Sequence, residues 1–177
     1  MQETINSIIE TEKRFEGIEM PSEIKNLISM RKSEVFNYEK EVFEYKMRLI
    51  RAEKKEIDYL NKTKDDSSSK AYVEYAQNEI ANHQNKITEL GKDVFSMYSR
   101  EALIDVYVAQ RAACEQRIEF NNNELKKDPN DQVAALSLKS DLGFLKSIDY
   151  SISILNGTAP ELMNSYINTD QIGTRNK

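Results

Sequence analysis

The residue types that carry most enzyme and metal chemistry are scarce in this chain. It contains one histidine, His83, and one cysteine, Cys114. A nucleophilic cysteine needs an activating base and a group that orients that base. Zinc and di-metal sites need several His, Cys or carboxylate ligands at defined spacings. No such spacing occurs here, so we expect no catalytic residue, no metal and no organic cofactor.

The positions of these two residues favour structural roles. His83 lies in an apolar row between Ile80 and Ile87, where a polar residue can fix the register of paired helices. Cys114 follows two alanines, as expected for a small buried side chain in helix packing. An enzyme or ligand-binding bundle built around His83 and Cys114 remains a third hypothesis for the function.

Basic residues form the strongest electrostatic feature of the sequence, between Lys46 and Lys64. Arg48, Arg51 and Lys55 fall on one face of a helix, which is enough to contact a few phosphates. Three carboxylates interrupt the run, namely Glu53, Glu56 and Asp58. A solvated helix face is therefore the favoured interpretation, and a nucleic-acid-associated or regulatory factor is the alternative function.

The element that must position these residues is a long helix over Ser22–Leu60. This stretch contains neither Gly nor Pro. Its apolar residues recur at seven-residue intervals in two adjacent rows, which predicts a wide apolar stripe on one helix. The two rows are Ile28, Val35, Val42, Leu49 and Phe36, Phe43, Ile50, Ile57.

The rest of the chain predicts further helices separated by polar breaks. The segment 62–69 has no apolar residue, which predicts a hairpin tip, and heptads from Val73 to Met97 predict a returning partner helix. The fold class is therefore all-α: a long antiparallel coiled-coil helical hairpin with shorter packing helices, forming an elongated bundle. We predict one domain over 1–167, with helices at 1–16, 22–62, 70–127 (with a break near 91–99 as an alternative), 132–155 and 159–167, and a flexible tail at 168–177.

The two apolar rows of the long helix exceed what one returning helix can cover. Such an excess is typical of an interface, and tyrosine is enriched at interface centres. Either the terminal helices fold back completely onto the hairpin and cover this excess, or a second chain does. We expect the second, as a homo-oligomer or a protein partner in a larger assembly. The candidate partner residues are Phe36, Tyr38, Phe43, Tyr45, Ile50 and Ile57.

Composition completes these expectations. The chain has 177 residues, a formal net charge of −5 and 31% charged residues of both signs, which argues against a general nucleic-acid binder. No signal peptide or membrane span is visible, and a lone cysteine suits a reducing compartment. We expect a cytoplasmic, non-enzymatic interaction or structural protein. Abundant Lys, Ile and Asn make a phage or virion assembly component a sub-case.

Overall fold

Five α-helices make up the fold in the computed structural model, which describes residues 1–160 and Leu162. No strand occurs among these residues, so the all-α prediction is confirmed. None of the described helices is long and apolar enough to cross a membrane. Most of the helix predicted at 159–167 and all of the tail predicted at 168–177 lie outside the described residues. The helices are α1 (Gln2–Arg14), α2 (Ser22–Asp65), α3 (Lys70–Phe95), α4 (Arg100–Lys127) and α5 (Gln132–Asn156).

Helices α2 and α3 pack against each other in opposite directions. Three side-chain contacts mark the pairing, and the residue number rises along α3 as it falls along α2. The hydroxyl groups of Thr63 and Tyr72 are hydrogen-bonded at 2.7 Å. The Glu53 carboxylate contacts the His83 ring at 2.5 Å, and the Lys46 ammonium forms an ion pair with Asp93 at 2.5 Å. The polar turn between the helices ends at Ser69, whose hydroxyl accepts the Tyr72 amide N–H and caps α3.

The buried stripe of α2 departs from the predicted heptad row. Val35 is buried, but Val42 is half-buried and Leu49 is 36% exposed. A straight helix drifts by about 20° per heptad relative to a 3.5-residue repeat, so a strict heptad row rotates out of the core. Some buried residues are eleven apart, namely Ile28, Glu39 and Ile50, and others are seven apart, namely Phe43 and Ile50. Leu49 lies at the edge of the contact between α2 and α3, where it borders a groove with Asn85 and Leu90.

A break separates α3 from α4 within the predicted 91–99 window. Helix α3 ends at Phe95 and α4 begins at Arg100, so residues 70–127 do not form one continuous helix. The Glu39 carboxylate, which is only 7% exposed, accepts the backbone N–H groups of Tyr98 and Ser99 at 3.0 and 2.7 Å. Because free N–H groups at a helix start need acceptors, Glu39 attaches the start of α4 to the middle of α2.

Helices α4 and α5 form a second antiparallel pair. Arg111 contacts Asp149 at 2.7 Å and Arg117 contacts Asp141 at 3.0 Å. Asp131 caps α5 by accepting the amide N–H groups of Val133 and Ala134. Earlier in the same turn, the side chain of Asp128 accepts the Asn130 N–H at 3.0 Å.

Ser22 is the first residue of α2, and its hydroxyl contacts Glu23. Helix α5 packs inward through one face, and Ala135 and Leu142 lie exposed outside it. That face is formed by Ala134, Ile148, Ser151, Ile154 and Leu155.

The main core lies where all of α2 to α5 meet. Phe43, Met47 and Ile50 contribute from α2, and buried residues of every later helix complete the cluster. The Lys54 ammonium lies 4.0 Å from the centre of the Tyr150 ring, which adds a cation–π contact between α2 and α5. A smaller cluster of Ile5, Ile8, Ile28 and Val35 holds α1 against the start of α2.

Replacing Glu39 tests the attachment of α4 to α2. We expect Glu39→Ala to lower the free energy of unfolding by about 2 kcal/mol, because two amide donors lose a charged acceptor in a buried place. Urea denaturation measures the loss. Glu56→Ala, an exposed change on the same helix, should stay within about 0.5 kcal/mol of the wild type. Equal effects of the two changes would contradict the assigned role of Glu39.

Two glycines provide a matched test of the α5 terminus. Gly157 has φ +68°, and a Cβ there would collide with the ring of Phe95. Gly157→Ala should therefore destabilise the fold by more than about 1 kcal/mol. Gly143 lies within α5 with open space around it, so Gly143→Ala should stabilise by about 0.5–1 kcal/mol. Thermal denaturation of both variants checks the opposite signs, and a stable Gly157→Ala would contradict the packing.

Candidate interaction surfaces

His83 lies in a structural contact between two helices. Its Nδ1 atom faces the Glu53 carboxylate at 2.5 Å, and the Lys86 ammonium lies 3.6 Å from the same carboxylate. The side chains of His83 and Glu53 are only 16% and 22% exposed. The contact joins α3 to α2 at one register, which is the role expected of a polar residue between packed helices. In the part of the chain that is described, no group of three or more His, Cys, Asp or Glu residues could hold a metal ion.

Cys114 belongs to a different helix pair from His83. It is fully buried between α4 and α5, and its thiol donates to the backbone carbonyl of Asp141 at 3.3 Å. Helix α3, which carries His83, contributes nothing to this contact. Among the described residues, Cys114 therefore has no activating base beside it, and its thiol has no access to solvent. Reactive cysteines usually have both.

The candidate basic face is exposed but its charges are mixed. Arg48, Arg51 and Lys55 all lie at the surface of α2. Arg48 and Arg51 border a groove of about 410 Å³ together with Glu44 and Tyr107. Burial raises the pKa of Tyr107, and the nearby Glu44 charge raises it further, so its phenol stays protonated at neutral pH. A carboxylate among the cations weakens this surface as a phosphate site.

The six candidate partner residues separate into internal and exposed groups. Phe43 and Ile50 have no exposed surface, and Phe36 and Ile57 are half-buried against the same core. Phe43 also makes an edge contact with Tyr107 of α4, at 5.4 Å between ring centres. The apolar excess was overestimated, because α4 and α5 cover much of what α3 leaves open. These four residues serve the core of this chain, while Tyr38 and Tyr45 are 49% and 55% exposed.

Tyr38 and Tyr45 form part of a longer exposed surface that we call the tyrosine face of α2. At about 1.5 Å per residue, it extends for roughly 48 Å along the helix on the side away from the core. Its large apolar members are all close to half exposed or more, from 49% at Leu27 to 63% at Met30. Charged residues alternate with them at the surface. The tyrosine face comprises Leu27, Met30, Glu34, Tyr38, Glu41, Tyr45, Arg48, Ala52, Lys55 and Tyr59.

The sequence analysis named Tyr38 and Tyr45 as candidate partner residues but did not identify the rest of this face. Tyr38, Tyr45, Ala52 and Tyr59 are spaced by seven residues and flank the apolar row that begins at Ile28, so the sequence alone is compatible with both core packing and a partner surface. Large apolar side chains that recur along one exposed helix face are unusual for a side that contacts only water. The interleaved charges were the available signal, since charged residues rarely lie fully buried.

Two other surfaces could accept a ligand or partner. A groove of about 980 Å³ lies between α1, the start of α2 and the start of α4, and is lined in part by Lys32, Phe36 and Tyr98. Its Lys32 side chain already pairs with Glu12 at 2.6 Å, and this hydrogen bond raises the pKa of Lys32. Elsewhere, Val133 and Leu136 lie exposed at the start of α5. Neither surface combines length, aromatic residues and ordered charge as the tyrosine face does.

Comparison of the chain with protein-family models, with curated proteins and with solved structures finds no match. The functional argument therefore depends on the geometry described above.

The accessibility of Cys114 gives a direct test of the enzyme hypothesis. We expect a thiol reagent to label Cys114 slowly in the native protein, since a buried thiol reacts only when the structure opens. Urea should expose one fast-reacting thiol per chain. Ser68→Cys, in the exposed turn between α2 and α3, provides a positive control that should react at once. Rapid native labelling of Cys114 itself would revive the catalytic hypothesis.

Proposed function

We propose that this chain is a non-enzymatic helical protein that acts through protein–protein contact. The observation that carries the proposal is the tyrosine face, an exposed helix surface with repeated large apolar side chains. Tyr and Met are typical of interface centres, and Tyr gives much contact area for little loss of side-chain entropy. Charged residues of both signs alternate with these side chains along the face, and charges beside a helix seam commonly set partner choice and orientation.

The way α2 is held supports this role. Contacts from α1, α3 and the α4–α5 pair fix the opposite side of α2 at several points along its length. A partner surface on such a supported helix needs little ordering when it binds, which reduces the entropic cost of association. The chain thus suits a scaffold or assembly role. A virion or phage assembly is one class that the Lys-, Ile- and Asn-rich composition suggests.

A photo-crosslinking experiment tests the proposal at its central residue. Tyr45 is replaced by the photoreactive residue p-benzoyl-phenylalanine in the full chain, expressed in its native host. We expect illumination to join position 45 to a protein, because the ring lies in the middle of the tyrosine face. The same replacement at Tyr75, an exposed tyrosine on α3, serves as the matched control.

The identity of the captured protein is read by mass spectrometry. Capture of any specific protein at position 45, whether a second copy or another chain, supports the proposed function. If position 45 captures no more protein than position 75, the tyrosine face is not a contact surface and the proposal fails.

Substitution of the tyrosines gives a second expected outcome. Tyr38→Ser, Tyr45→Ser and Tyr59→Ser together should abolish the association found by crosslinking while keeping the helical circular dichroism spectrum and the melting temperature close to wild type. All three side chains are about half exposed or more, so their loss removes little core packing. Analytical ultracentrifugation and crosslinking yield measure the result. A large fall in melting temperature would show that the tyrosines serve the fold instead.

A further inference from the structure

We propose that the partner of the tyrosine face is a second copy of this chain, bound in antiparallel orientation about a two-fold axis near Glu44 and Tyr45. This inference builds on the proposed function, because it names the occupant of the same surface. Its basis is the order of the charges along the face, which matches its own reverse.

Four charged residues of the tyrosine face are spaced by seven residues and change sign at the centre. Glu34 and Glu41 precede the midpoint, and Arg48 and Lys55 follow it. All four are exposed. At about 1.5 Å per residue, Glu41 and Arg48 each lie roughly 5 Å from the midpoint along the axis, and Glu34 and Lys55 each lie roughly 16 Å from it.

Reversing a second copy about that midpoint brings opposite charges together. Glu41 of one protomer then faces Arg48 of its partner, and Glu34 faces Lys55. The two-fold symmetry repeats each contact, as it must at an interface formed by the same patch on both chains. Each of the four charged residues of one protomer thus faces a residue of opposite charge on the other protomer.

The parallel arrangement has the opposite outcome. With both helices in the same direction and in register, each of the four residues faces its own copy, which places like charges together at every step. Like-charge contacts across an interface disfavour the wrong arrangement, and charges beside helix seams commonly select orientation. The order of charges therefore selects the antiparallel dimer.

The apolar members of the face fit the same symmetry. The Tyr45 residues of the two protomers meet beside the axis, where aromatic rings can pack on each other. Met30 of one protomer lies level with Tyr59 of its partner, so the two most exposed large side chains of the face cover each other. A dimer would thereby bury the side of α2 that no described helix of its own chain covers.

Charge reversal in two complementary variants tests the pairing. E34K/E41K makes the four-residue row entirely positive, and R48E/K55E makes it entirely negative. We expect each variant alone to self-associate at least tenfold more weakly than the wild type, and an equimolar mixture to recover association. Sedimentation equilibrium of the full chain at low salt measures the dissociation constants, and rising salt should weaken the wild-type dimer.

Two further variants separate the inference from general charge effects. The fourfold exchange E34K/E41K/R48E/K55E restores the antiparallel match and should self-associate within about threefold of the wild type. E74K/E119K makes the same change in net charge as E34K/E41K at exposed positions outside the face, and should leave the dissociation constant unchanged. Failure of the mixture to associate, or equal weakening by the control pair, would overturn the inference.

Cysteine crosslinking reads the orientation itself. Tyr45→Cys lies beside the proposed axis and should form a disulfide-linked dimer on mild oxidation, whereas Tyr38→Cys should not. In the antiparallel dimer the two copies of residue 38 are separated by about 20 Å along the helix. Buried Cys114 stays unreactive in both variants. Efficient linkage at both positions indicates a parallel pair and contradicts the proposal.

The outcomes distinguish this inference from the proposed function. If the wild type remains monomeric at high concentration while position 45 captures a different protein, the self-pairing is wrong and the interaction role stands. If position 45 captures nothing and the chain remains monomeric, both are wrong.

Discussion

The arrangement of the helices depends on the hydrogen bonds that the carboxylate of Glu39 accepts. It accepts two backbone N–H groups at the point where α3 ends and α4 begins. The junction sets the point from which α4 and α5 return to α2, where their buried residues share one core with Phe43 and Ile50. Because a buried carboxylate is costly unless it is hydrogen-bonded, the two amides and the acid stabilise each other's position.

This junction also decides which residues of α2 become core. The main cluster forms where α4 and α5 return to α2, at Phe43, Met47 and Ile50. Gly91 of α3 lets the side chain of Leu162 pack directly against the helix backbone, since a Cβ at position 91 would overlap that side chain. The resulting core leaves one whole side of the long helix outside. The exposed tyrosine face is thus a consequence of where the helix pairs are attached.

The sequence predicted helices well and their packing less well, for identifiable reasons. Absence of Gly and Pro, the polar turn before Lys70 and the Gly157 terminus are local signals, and the structure follows them closely. Glu39 was not singled out, because a glutamate within a charged helix normally reads as solvated. Its role depends on Tyr98 and Ser99, which lie about 60 residues away in the chain, and no local pattern announces such a contact.

The candidate partner residues were partly misassigned for a related reason. Phe43 and Tyr45 are near neighbours in sequence, and both belong to seven-residue rows. Which row faces inward depends on the small difference between a 3.5-residue repeat and the true helical turn. Over five or six turns that difference moves a side chain from the core to its edge, as Leu49 shows. Periodicity identifies the stripes but does not determine which of them is covered.

Two spacings occur among the residues of α2. The buried residues Ile28, Glu39 and Ile50 are eleven apart, whereas Ile28 and Val35, like Phe43 and Ile50, are seven apart. An eleven-residue repeat stays on one side of a straight helix more closely than a seven-residue repeat does. The exposed residues Tyr38, Tyr45, Ala52 and Tyr59 keep a strict seven-residue spacing. A seven-residue row stays on one side only if its helix winds slightly around a long neighbour. The spacing alone does not separate this row from the core, since Phe36, Phe43, Ile50 and Ile57 are also seven residues apart and pack inside the chain. What distinguishes the tyrosine face is its exposure and the order of its charges, and the proposed antiparallel partner is argued from these two features.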